Sequence, residues 1–111
     1  MRMWMVDPRF MCRAHILGEH REMHTLIGTI LHKRPLSGTK YIITGLVEVH
    51  NIKARHDELV LEMTCRGYNH KSPLPDTELW TEGRVDPVKN LVELRTRCSE
   101  CAKLQLINKK L

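Results

Sequence analysis

Aromatic side chains are scarce in this sequence: two tryptophans, two tyrosines and one phenylalanine among 111 residues. A closed slot with aromatic walls, the usual grip on a single flat ring, is therefore not expected. No apolar run is long enough to span a bilayer, so no membrane role is predicted. The opening Met1-Arg2-Met3-Trp4-Met5-Val6 is cut short by Asp7 and Pro8 and does not read as a signal peptide. Internal repeats and low-complexity tracts are missing too. Without a secretory signal, the four cysteines at 12, 65, 98 and 101 are expected as reduced thiols in a cytoplasmic protein.

What the chain does have is positive charge. Lys and Arg number 18 against 13 Asp and Glu, a formal net of +5 before any of the seven histidines protonates. That balance suits a polyanionic partner, and nucleic acid is the commonest one. At this length the chain is expected to form one domain over residues 1–111, a monomer that buries about two thirds of its unfolded surface.

Two patterns invite a metal. Cys98-Ser99-Glu100-Cys101 has the spacing of a zinc-ligand pair, and Cys12 and Cys65 can complete four ligands. A lone CxxC carries little weight, and Cys12 and Cys65 fall within helical patterns, where single cysteines serve as small apolar core residues. His20 and His24 stand four apart on one helix face, but Glu22 is displaced by one position from its place in the metalloprotease motif H-E-x-x-H. No third ligand for that pair is evident. The expectation is no metal site.

The periodicity is helical. Asp7-Pro8 is a cap followed by proline at the first helical position, so a helix is predicted from there to about Lys33, where Arg34-Pro35 and Ser37-Gly38 break it. Ile16, Met23, Ile27 and Ile30 form its apolar stripe; Cys12, His15, Glu19, Glu22 and Leu26 form a mostly polar stripe beside it. Residues 41–49 read as strand-like by propensity. Asn51 can cap a second helix with Ile52, Leu59, Val60 and Met63 inward, and with Glu58, Glu62 and Arg66 spaced for surface pairs. Gly67 should end it. Asp86-Pro87 repeats the cap-plus-proline signal and opens a third helix, with Val88, Leu91, Leu94, Cys98 and Cys101 toward the core. Ser72-Pro73-Leu74-Pro75-Asp76 is a rigid loop that Leu79 and Trp80 can pin. The predicted fold is all-α, a compact domain of about three main helices with long ordered loops.

The chemistry sits at the start. An α-amine has a reference pKa near 8, against about 10.4 for lysine, so about a tenth of it is the free nucleophile at neutral pH. A terminus can therefore form a Schiff base with an aldehyde-like carbon when a carboxylate stands nearby, and Glu22 is the candidate carboxylate. The run His15-Ile16-Leu17-Gly18-Glu19-His20-Arg21-Glu22-Met23, followed by Ala54-Arg55-His56-Asp57-Glu58-Leu59-Val60 and by Arg66-Gly67-Tyr68-Asn69-His70-Lys71-Ser72-Pro73-Leu74, resembles the pyrimidine-dimer DNA glycosylases that also act as abasic-site lyases. The resemblance covers roughly residues 1–75.

In that family the N-terminal amine attacks C1′ of the damaged nucleotide and a glutamate on the first long helix is essential. The resemblance places Met1 as nucleophile and Glu22 as the catalytic carboxylate, with no gap in register. It implies that Arg2, His15 and Arg21 touch the sugar or the flanking phosphates. The basic loop of Arg66, Tyr68, Asn69 and Lys71 would grip backbone or stack on a base. It implies a covering loop or short helical turn over 41–49 in place of the strand. The partner is double-stranded DNA with damaged bases or abasic sites, and no cofactor is required. Thr25 stands where the family has an arginine, Ala14 replaces a polar residue, and the C-terminal Lys103–Leu111 lacks the family prototype's aromatics. The expected function is base-excision DNA repair at cyclobutane pyrimidine dimers. A glycosylase for another modified base, and a non-catalytic DNA-binding protein on the same scaffold, are the alternatives.

Overall fold

The computed structural model describes residues 1–70 and 72–108 of the chain. It is all-α: α1 spans Arg13–Leu31, the single turn α2 Lys40–Ile43, α3 Ile52–Cys65, α4 Pro87–Arg97 and α5 Ser99–Asn108. Two 3-10 turns, Pro8–Phe10 and Val49–Asn51, precede α1 and α3. No strand occurs among the described residues. Helix α1 packs along α3, while α4 and α5 form a hairpin whose second arm closes on the Pro8–Phe10 turn.

The Asp7-Pro8 signal starts only that 3-10 turn, with the Asp7 carboxylate accepting from the Arg9 backbone N–H at 3.0 Å. Met11 and Cys12 are extended and the long helix begins at Arg13, later than the sequence predicts. Burial explains the break. Met11 is fully buried, and the Arg66 guanidinium donates to the carbonyls of Pro8 (2.9 Å) and Met11 (2.7 Å), which a continuous helix would have used internally. At its far end α1 stops with Lys33 at φ +54°, where the Arg34 N–H returns to the Thr29 carbonyl at 3.0 Å.

Residues 41–49 form α2 and the approach to the second 3-10 turn, as the resemblance implied and propensity did not. Arg66 and Gly67 end α3 as expected: Gly67 takes φ +80° and the Tyr68 N–H reaches the Met63 carbonyl at 2.8 Å. Asp86 caps α4 by accepting from the N–H groups of Val88 and Lys89. Val88 is 71 % exposed, so the inward face of α4 is Asn90 and Leu94 with Leu91 beside them. Cys98 is extended, and the chain restarts as α5 rather than continuing the third helix. The long connection from α3 to α4 is fastened less by Trp80, which is exposed and bonds Glu82, than by backbone. The Val49 N–H meets the Glu82 carbonyl at 2.9 Å, and Glu48 accepts from the Val85 N–H at 2.8 Å. Gly83, at φ +88°, passes so near Val47 that a Cβ would lie 2.2 Å from its carbonyl oxygen.

One ion pair ties these parts together. Arg55 of α3 and Glu19 of α1 have fully buried side chains and meet in a two-pronged contact, Nε to Oε2 at 2.6 Å and Nη2 to Oε1 at 2.8 Å. The same guanidinium donates to the Val6 carbonyl at 2.7 Å and to Glu58. Removing one partner of such a pair strands a buried charge and costs about 3–5 kcal/mol. Arg55→Met should therefore destabilise the fold by that amount in urea unfolding. The double variant Arg55→Met with Glu19→Leu should recover part of the loss. Equal stability of Arg55→Met and wild type would show that the pair carries no such weight.

Candidate active site

The N-terminal segment is held along its whole length. The Met3 N–H donates to the Leu46 carbonyl at 2.8 Å, and Met3 is fully buried. Asn90 of α4 donates to the Trp4 carbonyl at 2.9 Å, and its Oδ1 accepts from Arg2 at 3.0 Å. Arg2 also pairs with Glu93 and lies 3.7 Å over the Trp4 ring. Burial and Arg97 press the Arg2 pKa down, while Glu19 works against them. The edge of Trp4 abuts His15, with ring centroids 5.7 Å apart. Met5 takes φ +58°, a conformation few side chains adopt, between the anchored carbonyls of Trp4 and Val6. Met1 is half-buried and packs on the core.

Glu22 is half-buried on α1. At about 100° per residue it returns to within about 20° of His15 after two turns. It therefore lies on the flank of α1 against which Trp4 rests. Among the described residues, no direct ion pair joins the Met1 amine to Glu22.

The expected DNA contacts divide in two. Arg21 and Asn69 are exposed. Arg2 is engaged by Asn90 and Glu93, and Arg66 by Glu62 at 2.8 Å and the two carbonyls before α1. Tyr68 packs against the core with the Arg13 guanidinium 4.7 Å from its ring centroid, a partner the sequence reading did not single out. Lys71 lies outside the described residues.

His15 belongs to a different group from the one expected. Its Nδ1 lies 3.2 Å from Cys12 Sγ and 3.5 Å from Cys101 Sγ, and Cys12 Sγ lies 3.9 Å from Cys98 Sγ. Backbone N–H groups point at two of these sulfurs: Cys12 at Cys101 Sγ, 3.2 Å, and Cys101 at Cys98 Sγ, 3.5 Å. Burial pushes the Cys101 thiol up to about 12. Burial and Arg97 lower the pKa of His15. Cys65 is exposed at the end of α3 and takes no part.

A second group sits on the opposite flank of α1. His20 and His24 face His56 of α3 and His70 of the following loop, with ring centroids 4.8–5.4 Å apart. Burial, with His56, His24 and His70 around it, pushes His20 down to about 4, so its ring is neutral at pH 7. The pairing of His20 with His24 was visible as spacing. Their partners, 32 and 46 residues further on from His24, were not, because only the α1–α3 packing brings them in.

A sequence model of the family described as pyrimidine dimer DNA glycosylase matches residues 1–76. No curated protein and no solved structure gives a match. Helices α4 and α5 lie beyond the matched residues, yet Asn90 and Glu93 hold the segment with which the match begins.

Asn90→Ala should consequently act at the terminus. Removing its amide leaves the Trp4 carbonyl without that donor, which costs about 1–3 kcal/mol. The loss should appear in chemical unfolding, accompanied by faster proteolytic trimming of the first residues. Unchanged stability and trimming would show that α4 does not hold the segment.

Proposed function

The chain belongs to the pyrimidine dimer DNA glycosylase family, and from that premise we propose that it is a bifunctional repair enzyme. It excises the base at cyclobutane pyrimidine dimers in duplex DNA and then cuts the strand at the abasic site. The observation that supports this reading is the family match over residues 1–76, joined to an anchored N-terminal segment whose Trp4 rests on His15, two turns before Glu22 on α1. Reach supports it as well. From Trp4 back to Met1, extended chain covers about 10 Å, the same distance that α1 rises from His15 to Glu22.

In this mechanism the neutral α-amine of Met1 attacks C1′ of the damaged nucleotide. The N–C1′ bond forms as the glycosidic bond breaks, and the departing base takes the electron pair and a proton. Opening of the sugar, with O4′ taking a proton from solvent, gives a protonated Schiff base. The Glu22 carboxylate stabilises the positive charge at C1′ in both steps. It then accepts the C2′ proton; the C–H electrons form the C2′–C3′ double bond and the 3′ phosphate leaves. Water hydrolyses the imine and restores the amine. No cofactor is consumed.

Exposed Arg21 and Asn69, together with Lys71, are assigned to DNA contact, and Tyr68 with Arg13 offers a stacking platform near the same surface. Arg2 and His15, which protein partners already hold, are assigned to the surround of the sugar, and Arg66, fastened to the turn before α1, to the base of the DNA-gripping loop. Reaching C1′ requires bending the duplex and displacing a base, at a cost of a few kcal/mol offset by phosphate contacts. A dimer weakens pairing and distorts the helix, so bending alone can report it to a chain so poor in aromatics.

Borohydride reduction on an abasic duplex should trap the chain covalently through Met1, and blocking the α-amine should abolish the adduct. Glu22→Gln should bind DNA but cut it at least a hundredfold more slowly, within the range of a lost general base. Undiminished cutting by Glu22→Gln would reject Glu22 as catalyst. Cleavage of abasic but not ultraviolet-irradiated duplex would keep the lyase chemistry and remove the dimer assignment. Binding without any adduct would leave a DNA-binding scaffold.

The binding should also be electrostatic. With about four to six phosphates neutralised, log K should fall against log salt with a slope of about −4 to −5. A slope near zero would remove the DNA-backbone contacts assigned above.

A further inference from the structure

We propose that this protein carries two structural zinc sites, one formed by Cys12, His15, Cys98 and Cys101 and the other by His20, His24, His56 and His70. Neither site depends on the catalytic reading above, and each rests on its own observation.

The cysteine site rests on distances. Four ligands at the corners of a tetrahedron are separated by about 1.63 times the metal–ligand bond. With Zn–S near 2.3 Å and Zn–N near 2.0 Å, sulfurs should be about 3.8 Å apart and sulfur–nitrogen pairs about 3.5 Å. The structure has Cys12 and Cys98 sulfurs at 3.9 Å, and His15 Nδ1 at 3.2 and 3.5 Å from Cys12 and Cys101 sulfurs. A disulfide would need its sulfurs near 2.05 Å. The N–H groups of Cys12 and Cys101 aimed at sulfur are the contacts that stabilise thiolates. The extended backbone at Cys12 and Cys98 that interrupted the expected helices presents these side chains to one another.

The histidine site rests on unmet hydrogen bonding. The Nε2 atoms of His20, His24, His56 and His70 are all buried and none has a hydrogen-bond partner. Leaving a buried polar group unsatisfied costs about 1–3 kcal/mol, and here four such atoms share one pocket. Their ligand atoms all lie within 4.8 Å of one another. Drawing them to the separation of about 3.4 Å that a tetrahedral zinc requires needs only small side-chain shifts. The tautomer of His56 suits the role: its Nδ1 lies 3.0 Å from Asp57 Oδ1, which directs its Nε2 lone pair inward. A cation that accepts four imidazole lone pairs satisfies every one of these orphans at once.

Each set supplies four protein ligands and leaves no open position, the arrangement of a structural rather than a hydrolytic zinc. The histidine site fastens α1, α3 and the loop that carries Asn69. The cysteine site fastens the α4–α5 hairpin to the start of α1, immediately beside Trp4.

The untagged full chain, purified without chelator from zinc-supplemented cells, should contain two zinc ions by elemental mass spectrometry. Cys101→Ser should reduce this to one, His56→Asn should also reduce it to one, and Cys65→Ser should leave two. Cobalt substitution of the wild-type chain needs no variant to fold. The cysteine site should give a near-ultraviolet thiolate-to-cobalt band together with visible ligand-field bands, and the histidine site ligand-field bands alone. One ion with the thiolate band would overturn the histidine site. One ion without it would overturn the cysteine site, and no stoichiometric metal would overturn both.

Discussion

The buried contact between Glu19 and Arg55 is the constraint from which the rest of the architecture follows. It fixes the register of α1 on α3, because two hydrogen bonds of defined direction cannot survive a slide of one residue along either helix. The same guanidinium takes the Val6 carbonyl, so the segment that carries the N-terminus is registered against both helices by one side chain. A buried pair is a poor source of net stability, since desolvation consumes much of its attraction. Its value here is positional. It decides which face of α1 is core, and thereby which flank carries Glu22 and which carries His20 and His24.

The proposed chemistry at the terminus sets a general requirement. A nucleophile at a chain end must be ordered, although chain ends are where order is ordinarily lost. This chain meets the requirement with side chains from distant sequence: Asn90 on the Trp4 carbonyl, Glu93 on Arg2, His15 against Trp4. Two of these come from α4, beyond the residues that match the family. The part of the molecule that least resembles the family is thus the part that positions its first residues.

The sequence disclosed what periodicity and local chemistry encode. The all-α class, the extent of α3, its Gly67 terminator and the Asp86-Pro87 start were all legible, because each is written within a few residues. The misread features were decided by tertiary contacts. Asp7-Pro8 looked like the start of a long helix, but Arg66, 58 residues from Pro8, claims the carbonyls that a continuous helix would need. Glu19 looked like a member of a polar stripe, and only Arg55 makes its burial tolerable. Val88 looked apolar and inward, whereas α4 turns Asn90 to the core in order to hold Trp4. The sulfur neighbours of His15 were hidden from the sequence for the same reason. Its neighbours Cys98 and Cys101 are more than 80 residues away.

Helix α1 emerges as the organising element, with different work on each side. Its central stripe of Ile16, Met23, Leu26 and Ile27 faces the core, and the Glu19 pair lies within that stripe. One flank carries His20 and His24 toward α3. The other carries His15 against Trp4, with Glu22 two turns further on. A domain with five aromatic residues has few large side chains with which to lock elements in place. Small folds in that position gain rigidity from cross-links, which act mainly by restricting the unfolded chain. Four-ligand clusters on the two flanks of one helix would supply that rigidity where the proposed chemistry needs it.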